Sequence, residues 1–238
     1  MSVSRTPVAV SWSGGKDSTL ALERLLADPE VQVVALLTTV STAYDRVSIH
    51  GVRRSIVSRQ AAALDLPLFE VHLGASSSNA SYESAFGTGL AQLQENYSSL
   101  NTIAFGDLFL EDVRRYREEL LAKLGWRGLY PLWGEPTPRL AEYFTQRGYR
   151  AVVTCVDTTQ LDARFAGREF DAQFLSELPP QLDPCGEHGE FHTCVYAGPL
   201  FREPIAVSIG EQVLRDERFQ FCDLVDLSTN APRSEAAA

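Results

Sequence analysis

The sequence predicts an α/β fold in which helices cover both faces of a parallel sheet, followed by a smaller C-terminal α+β domain. Three observations carry this expectation. Short β-branched runs alternate with helical patterns through the first half, as in successive β-α-β units. A glycine-rich turn joins the first strand to the first helix between Ser13 and Ser18. After Trp133 the texture changes to strand-like pieces around a stretch rich in Pro, Gly and His.

Val8 to Ser11 is the first predicted strand, and Lys16 to Ala27 an amphipathic helix with Leu20, Leu22, Leu25 and Leu26 available to a core. Val31 to Leu37 forms the second strand. Arg53 to Leu64 is helical and stops before Pro67, which cannot donate to a helix and disfavours helical geometry in the residue before it. Leu68 to Leu73 is the third strand. Gly74 to Ser81 has no apolar period and is read as a loop, either a lid over a site or a solvated connector. A helix over Tyr82 to Tyr97, a fourth strand over Thr102 to Phe105, a helix over Glu111 to Leu124 and a fifth strand over Gly128 to Leu132 complete the first unit. Beyond it the pattern predicts a helix from Pro138 to Arg147 and a strand from Ala151 to Val156. Loop sequence follows from Leu178 to Thr193, with strand pieces around Val195, Ile205 to Ile209 and Phe219 to Val225. The expected domains are residues 1–133 and 134–228, with 229–238 a frayed polar tail.

With 238 residues, 45% of them hydrophobic, the chain can bury one sizeable core or a main domain with a smaller partner. It has no apolar run of bilayer length and no export signal at Met1 to Pro7, so a cytoplasmic protein without membrane association is expected. Cys155, Cys185, Cys194 and Cys222 are irregularly spaced and form no CxxC pair, which predicts reduced thiols. The net charge of −10 argues against a nucleic-acid surface. Arg114, Arg115 and Arg117 alternate with acidic neighbours and read as a solvated helix face.

The run Ser11-Trp12-Ser13-Gly14-Gly15-Lys16-Asp17-Ser18 lies where anions bind. Unpaired amides at a helix start and the helix dipole favour negative charge, and glycines allow close approach. Asp17 stands where a Walker A loop needs Ser or Thr, so the pattern is a different one. The bland reading is a tight turn with Asp17 compensating the helix dipole. The string resembles the PP-loop of the ATP pyrophosphatases, which cleave ATP between the α- and β-phosphates. That resemblance implies a Rossmann-like, HUP-type parallel sheet of order 3-2-1-4-5. It also implies that Lys16 and the loop amides hold the outer phosphates, with Ser11, Trp12, Ser13, Gly14, Gly15, Asp17 and Ser18 around the nucleotide. Magnesium is implied, with Asp17 and Asp107 as candidate ligands because hard oxygen donors suit it. Gly106 and Asp107 follow the fourth strand, beside the topological switch point of such a sheet. Asp107 has a second reading as N-cap of the next helix.

Further strings are similar to the diphthine-ammonia ligase family over roughly residues 8–202. They are His50, Gln60-Ala61-Ala62-Ala63-Leu64 with Pro67, Tyr130-Pro131-Leu132-Trp133-Gly134, Asp183-Pro184-Cys185-Gly186-Glu187-His188-Gly189-Glu190-Phe191-His192-Thr193, and Gly198-Pro199-Leu200-Phe201. The resemblance implies that ATP activates the diphthine carboxylate on elongation factor 2 and that ammonia displaces AMP to form an amide. Gly106 to Tyr116 departs from the eukaryotic and archaeal pattern and is similar to bacterial relatives, which are expected to lack diphthamide, so the acceptor stays open. A homodimer is implied by the resemblance alone.

Amide formation from ammonium needs a carboxylate to hold the cation and a base to take its proton, roles that Glu187, Glu190 and His192 can fill. The alternative is a structured turn in which the glycines permit unusual dihedrals. Cys185, His188, His192 and Cys194 are poorly spaced for tetrahedral zinc. His50 can approach a nucleotide after the second strand, but a lone His more often packs or caps. Trp12, Trp126, Trp133 and His72 read as core or strand-end residues, with Trp12 also able to line an adenine pocket. Competing functions are a PP-loop RNA-modifying enzyme, an adenine nucleotide alpha hydrolase with another acceptor, and a non-enzymatic ATP-binding module.

Overall fold

In a computed structural model that describes residues 5–74 and 78–227, the first sheet grows around β1 (Thr6–Ser11), whose Val8, Ala9 and Val10 have no exposed surface. α1 (Lys16–Ala27) follows, burying Leu20, Leu22 and Leu25 while Leu26 stays exposed. Next come β2 (Val31–Ser41), β3 (Arg46–Val47) and α2 (Arg54–Leu64). α2 ends where Asp65 turns left-handed at φ 57° and donates back to Ala61 and Ala62, two residues before Pro67. β4 (Leu68–Leu73), α3 (Asn79–Asn96), β5 (Thr102–Ala104), α4 (Glu111–Lys123) and β6 (Arg127–Leu129) complete this half. α3 begins three residues before the expected Tyr82 because the Ser78 hydroxyl accepts from the Ser81 amide, an N-cap.

The expected purely parallel sheet of order 3-2-1-4-5 is corrected. The sheet is mixed and six-stranded, with a path β3-β2-β1-β5-β6 and β4 joined to β2 off that path. β3 runs antiparallel to β2 through Val40–Val47 and Ser41–Arg46. The cause is the length of β2. β1 ends opposite Leu37, whereas β2 continues to Ser41 and leaves a backbone edge that the returning chain fills. Asp45, left-handed at φ 51°, closes that reversal by donating its amide to the Ser41 carbonyl at 2.9 Å.

The second sheet is antiparallel. α5 (Thr137–Gln146) leads into β7 (Arg150–Asp157), a 3-10 turn (Ala163–Phe165), α6 (Ala172–Glu177), β8 (Phe191–Ala197), β9 (Val207–Arg215) and β10 (Phe219–Asp226), in the order β8-β7-β10-β9. Phe144, Phe165, Phe170, Phe174 and Phe191 fill its interior, with Phe174 edge-on to Phe165 at 5.5 Å and to Phe191 at 5.2 Å between centroids.

A single apolar cluster runs from Val8, Leu20 and Ile56 to Phe191, Val195 and Leu224, so the two sheets share a core. Asp223 of β10 fastens the rim, accepting from Arg46 at 2.7 Å and Arg53 at 2.6 Å. All four cysteines are buried and free, and no described helix is long and apolar enough to cross a membrane. The expected tail, residues 229–238, and residues 75–77 of the loop expected as either lid or connector lie outside the described residues. The Arg114–Arg117 run is not simply a solvated face. Arg114 stacks over Tyr130 and Trp133, 4.7 Å from each ring, and Arg117 lies 4.3 Å from the Phe105 ring.

Candidate active site

The turn between β1 and α1 is held from beneath. Trp12 is 1% exposed, and its indole N–H donates to Gln60 Oε1 at 3.0 Å, so it supports the loop. Gln60 Nε2 donates to the Gly14 carbonyl at 2.9 Å and to the Val195 carbonyl at 2.6 Å. Gly14 must be glycine twice over, because its φ is +78° and a Cβ would stand 2.5 Å from Gln60 Oε1. Gly15 is the N-cap of α1 and offers no side-chain cap, so the positive end of the helix faces the site. Ser13 and Ser18 hydroxyls lie 3.2 Å apart across the turn.

β8 crosses directly over this turn. The Val195 amide donates to the Gly14 carbonyl at 2.8 Å, and the Lys16 amide donates to Thr193 Oγ1 at 3.1 Å. The Lys16 side chain folds inward, 3% exposed, donating to Asp17 Oδ2 at 2.8 Å and to the Cys185 carbonyl. Its ammonium also lies 5.5 Å from the Phe191 ring. Asp17 Oδ1 is buried without a partner among the described residues.

Asp183 organises the turn before β8, one carboxylate oxygen taking the Cys185 amide and the other the Glu187 amide, both at 3.1 Å. Glu187 Oε1 in turn accepts from the Leu108 amide at 2.9 Å, which ties this turn to the chain leaving β5. Burial, with Asp17 and Asp107 adding repulsion, pushes the Glu187 carboxyl up to about 7 despite that amide and Lys16. Glu190 points the other way. It is 1% exposed, with Oε1 on the Asp183 amide and Oε2 unpartnered among the described residues.

Gly106 brings the end of β5 against the start of α1, where a Cβ would lie 2.8 Å from the Asp17 carbonyl carbon. Asp107 beside it is gripped by Arg117 at 2.7 and 3.3 Å. Its reading as an N-cap fails, because Leu110 occupies that position without a side-chain cap. His192 packs against His50, ring centroids 4.5 Å apart, and burial holds both imidazoles below their usual range, His50 at about 4.

Two family models match this chain, the diphthamide synthase N-terminal domain over residues 6–128 and the C-terminal domain over residues 136–225. The chain belongs to the diphthamide synthase family. A curated diphthine-ammonia ligase of Schizosaccharomyces pombe is 25% identical over 217 residues, covering 84% of this chain and 36% of that protein. This diphthamide synthase family chain therefore spans about a third of the length of that relative.

In this diphthamide synthase fold the segments read from sequence as nucleotide-side and acceptor-side meet. Lys16, Asp17, Gly106, Asp107 and Glu187 surround one junction, His192 adjoins it through His50, and Glu190 braces its turn. Sequence reading missed what holds them. Gln60 and Thr193 lie inside the quoted family strings, but only the fold shows them gripping the loop. Arg117 was hidden in a run of mixed charge. No group of three His, Cys, Asp or Glu side chains converges as a metal cage among the described residues. An ion held chiefly by phosphate oxygens and water needs no such cage, and the unpartnered Asp17 Oδ1 suits it.

Proposed function

We propose that this chain is an ATP-dependent ligase that activates a diphthine-like carboxylate, releasing AMP and pyrophosphate, and joins it to ammonia as an amide. The observation that carries the reading is the seating of β8 on the Gly14–Lys16 turn, through the Val195 and Thr193 bonds. It supports the reading by bringing the Glu187 turn next to the helix end that favours anions.

In this mechanism Lys16 exchanges the Cys185 carbonyl for phosphate oxygens, and with the α1 amides it stabilises the charge developing on departing pyrophosphate. Magnesium would neutralise phosphate charge. Asp17, with an oxygen to spare, and Asp107, shared with Arg117, are the residues that would hold it. Glu187 titrates near neutrality and so can take a proton from the ammonium adduct, while His192, packed on His50, stays neutral. Glu190 fixes the Asp183 turn that presents Glu187.

The test is a direct assay of AMP and pyrophosphate with ATP, magnesium, ammonium and diphthine-bearing elongation factor 2 or other carboxylates. Product formation dependent on both carboxylate and ammonium is expected. Tight ATP binding with no AMP from any carboxylate would leave a nucleotide-binding module instead.

A further inference from the structure

The loop between β3 and α2 has no part in the mechanism above, yet it delivers His50 to the phosphate-binding turn. His50 Cε1 lies 3.3 Å from where a Cβ on Gly15 would stand, so the glycine makes room for the ring. Its neighbours are the His192 ring, 4.5 Å away between centroids, and the Thr193 backbone. Its Nδ1 is buried and has no hydrogen-bond partner among the described residues. The chain accepts strain to hold it there. Ile49, a β-branched residue, is left-handed at φ 69° with its side chain 73% exposed, a conformation that packing of Ile49 itself does not explain.

With the proton on Nε2, Nδ1 presents a buried lone pair, which is costly unless a ligand supplies a donor. The ligand must carry N–H or O–H and no positive charge, since Lys16 stands close enough to oppose a cation on this imidazole. Neutral ammonia meets both conditions.

Resting on the ligase reading, we propose that His50 contacts the nitrogen nucleophile, its Nδ1 accepting a hydrogen bond from neutral ammonia in a niche walled by Gly15, His192 and the Thr193 carbonyl. The bond orients the ammonia lone pair towards the acyl carbon. The new C–N bond forms as the bond from the acyl carbon to the adenylate oxygen breaks. AMP leaves with that electron pair, and the N–H proton released from the new amide nitrogen passes to the Glu187 carboxylate. Ammonium, a cation, is opposed there by the charge of Lys16.

The experiment compares the full chain with His50→Ala and His50→Asn, using diphthine-bearing elongation factor 2 as carboxylate. Carboxylate-dependent exchange of labelled pyrophosphate into ATP reports activation without ammonia, and amide formation against ammonium concentration reports the nucleophile. His50→Ala is expected to raise the ammonium KM about tenfold with exchange and the ATP KM nearly unchanged, the scale of one lost hydrogen bond. His50→Asn, whose side-chain oxygen accepts, recovers part of that loss. An unchanged ammonium KM overturns the assignment, as does exchange falling in parallel or a selective rise in the ATP KM, which would give His50 to the loop or the ribose. Absence of exchange in the unaltered chain sinks the ligase reading itself, and this inference with it.

Discussion

Burial works against the charge of Lys16, but Asp17, Cys185 and Glu187 outweigh it and hold the amine above its ordinary value, so it is cationic at any physiological pH. An enclosed cation at the start of a helix is worth most when a dianion arrives. Lys16→Ala is therefore expected to lower AMP formation at least about 100-fold, read as kcat at saturating ATP. Glu187 gives a pH test. Its folded-state value of about 7 lies above the ordinary carboxylate value of 4.5, so its contribution to stability is fully present below 4.5 and is lost as pH rises through about 7. Activity runs the opposite way, because the base is the ionised form. The rate of amide formation is expected to rise through about pH 7, and Glu187→Gln should lower kcat and flatten that rise. A profile of unchanged shape in the variant would remove Glu187 from proton transfer. At this scale the sequence offered the candidate residues but not their orientation. Glu187 and Glu190 are three apart in one string, yet one faces the loop and the other braces a turn, because the left-handed glycines Gly186 and Gly189 redirect the backbone between them.

Among the elements, α2 and β8 are the pair that shape the nucleotide turn. Gln60 joins them, with no exposed surface and bonds to Trp12, Gly14 and Val195. Gln60→Leu keeps the volume but leaves the buried Trp12 indole N–H and the Val195 carbonyl without their Gln60 partners and removes one of two donors to the Gly14 carbonyl. It is expected to cost about 2–4 kcal/mol in denaturant unfolding and to raise the ATP KM more than it lowers kcat. A variant as stable and as tight for ATP as the parent would show that the turn supports itself. Most elements were legible because their signals are local. α1 and β4 were read with the bounds they have, since apolar period and a neighbouring glycine or proline define both. β3 was not legible, because two residues carry no period and pair only where β2 outruns β1. The short α6 was missed for a similar reason, since it is six residues long and its cap, the Asp171 carboxylate on the Phe174 amide, is one bond.

For the molecule as a whole, the shared cluster makes each sheet's core depend on the other. We expect the segment 5–133, produced alone, to expose the apolar face that Phe191 and Val195 cover. It should unfold without a sharp transition and show no ATP binding by calorimetry. A cooperative, nucleotide-binding fragment would show that the C-terminal sheet is dispensable to the turn. The alternation of strands and helices was visible in the sequence, but the purely parallel sheet expected from it gave way to a mixed one. Contacts across 177 to 181 residues of chain, such as Lys16 to Thr193 and Gly14 to Val195, have no counterpart in local pattern.

Those contacts make β8 a seam. A strand that earns its hydrogen bonds in one sheet also closes the glycine turn of the other, so neither half can be exchanged for a foreign counterpart while this join is ignored. Anyone grafting a new acceptor specificity onto the C-terminal half would have to carry Thr193 and Val195 across unchanged, or redesign the glycine turn to match.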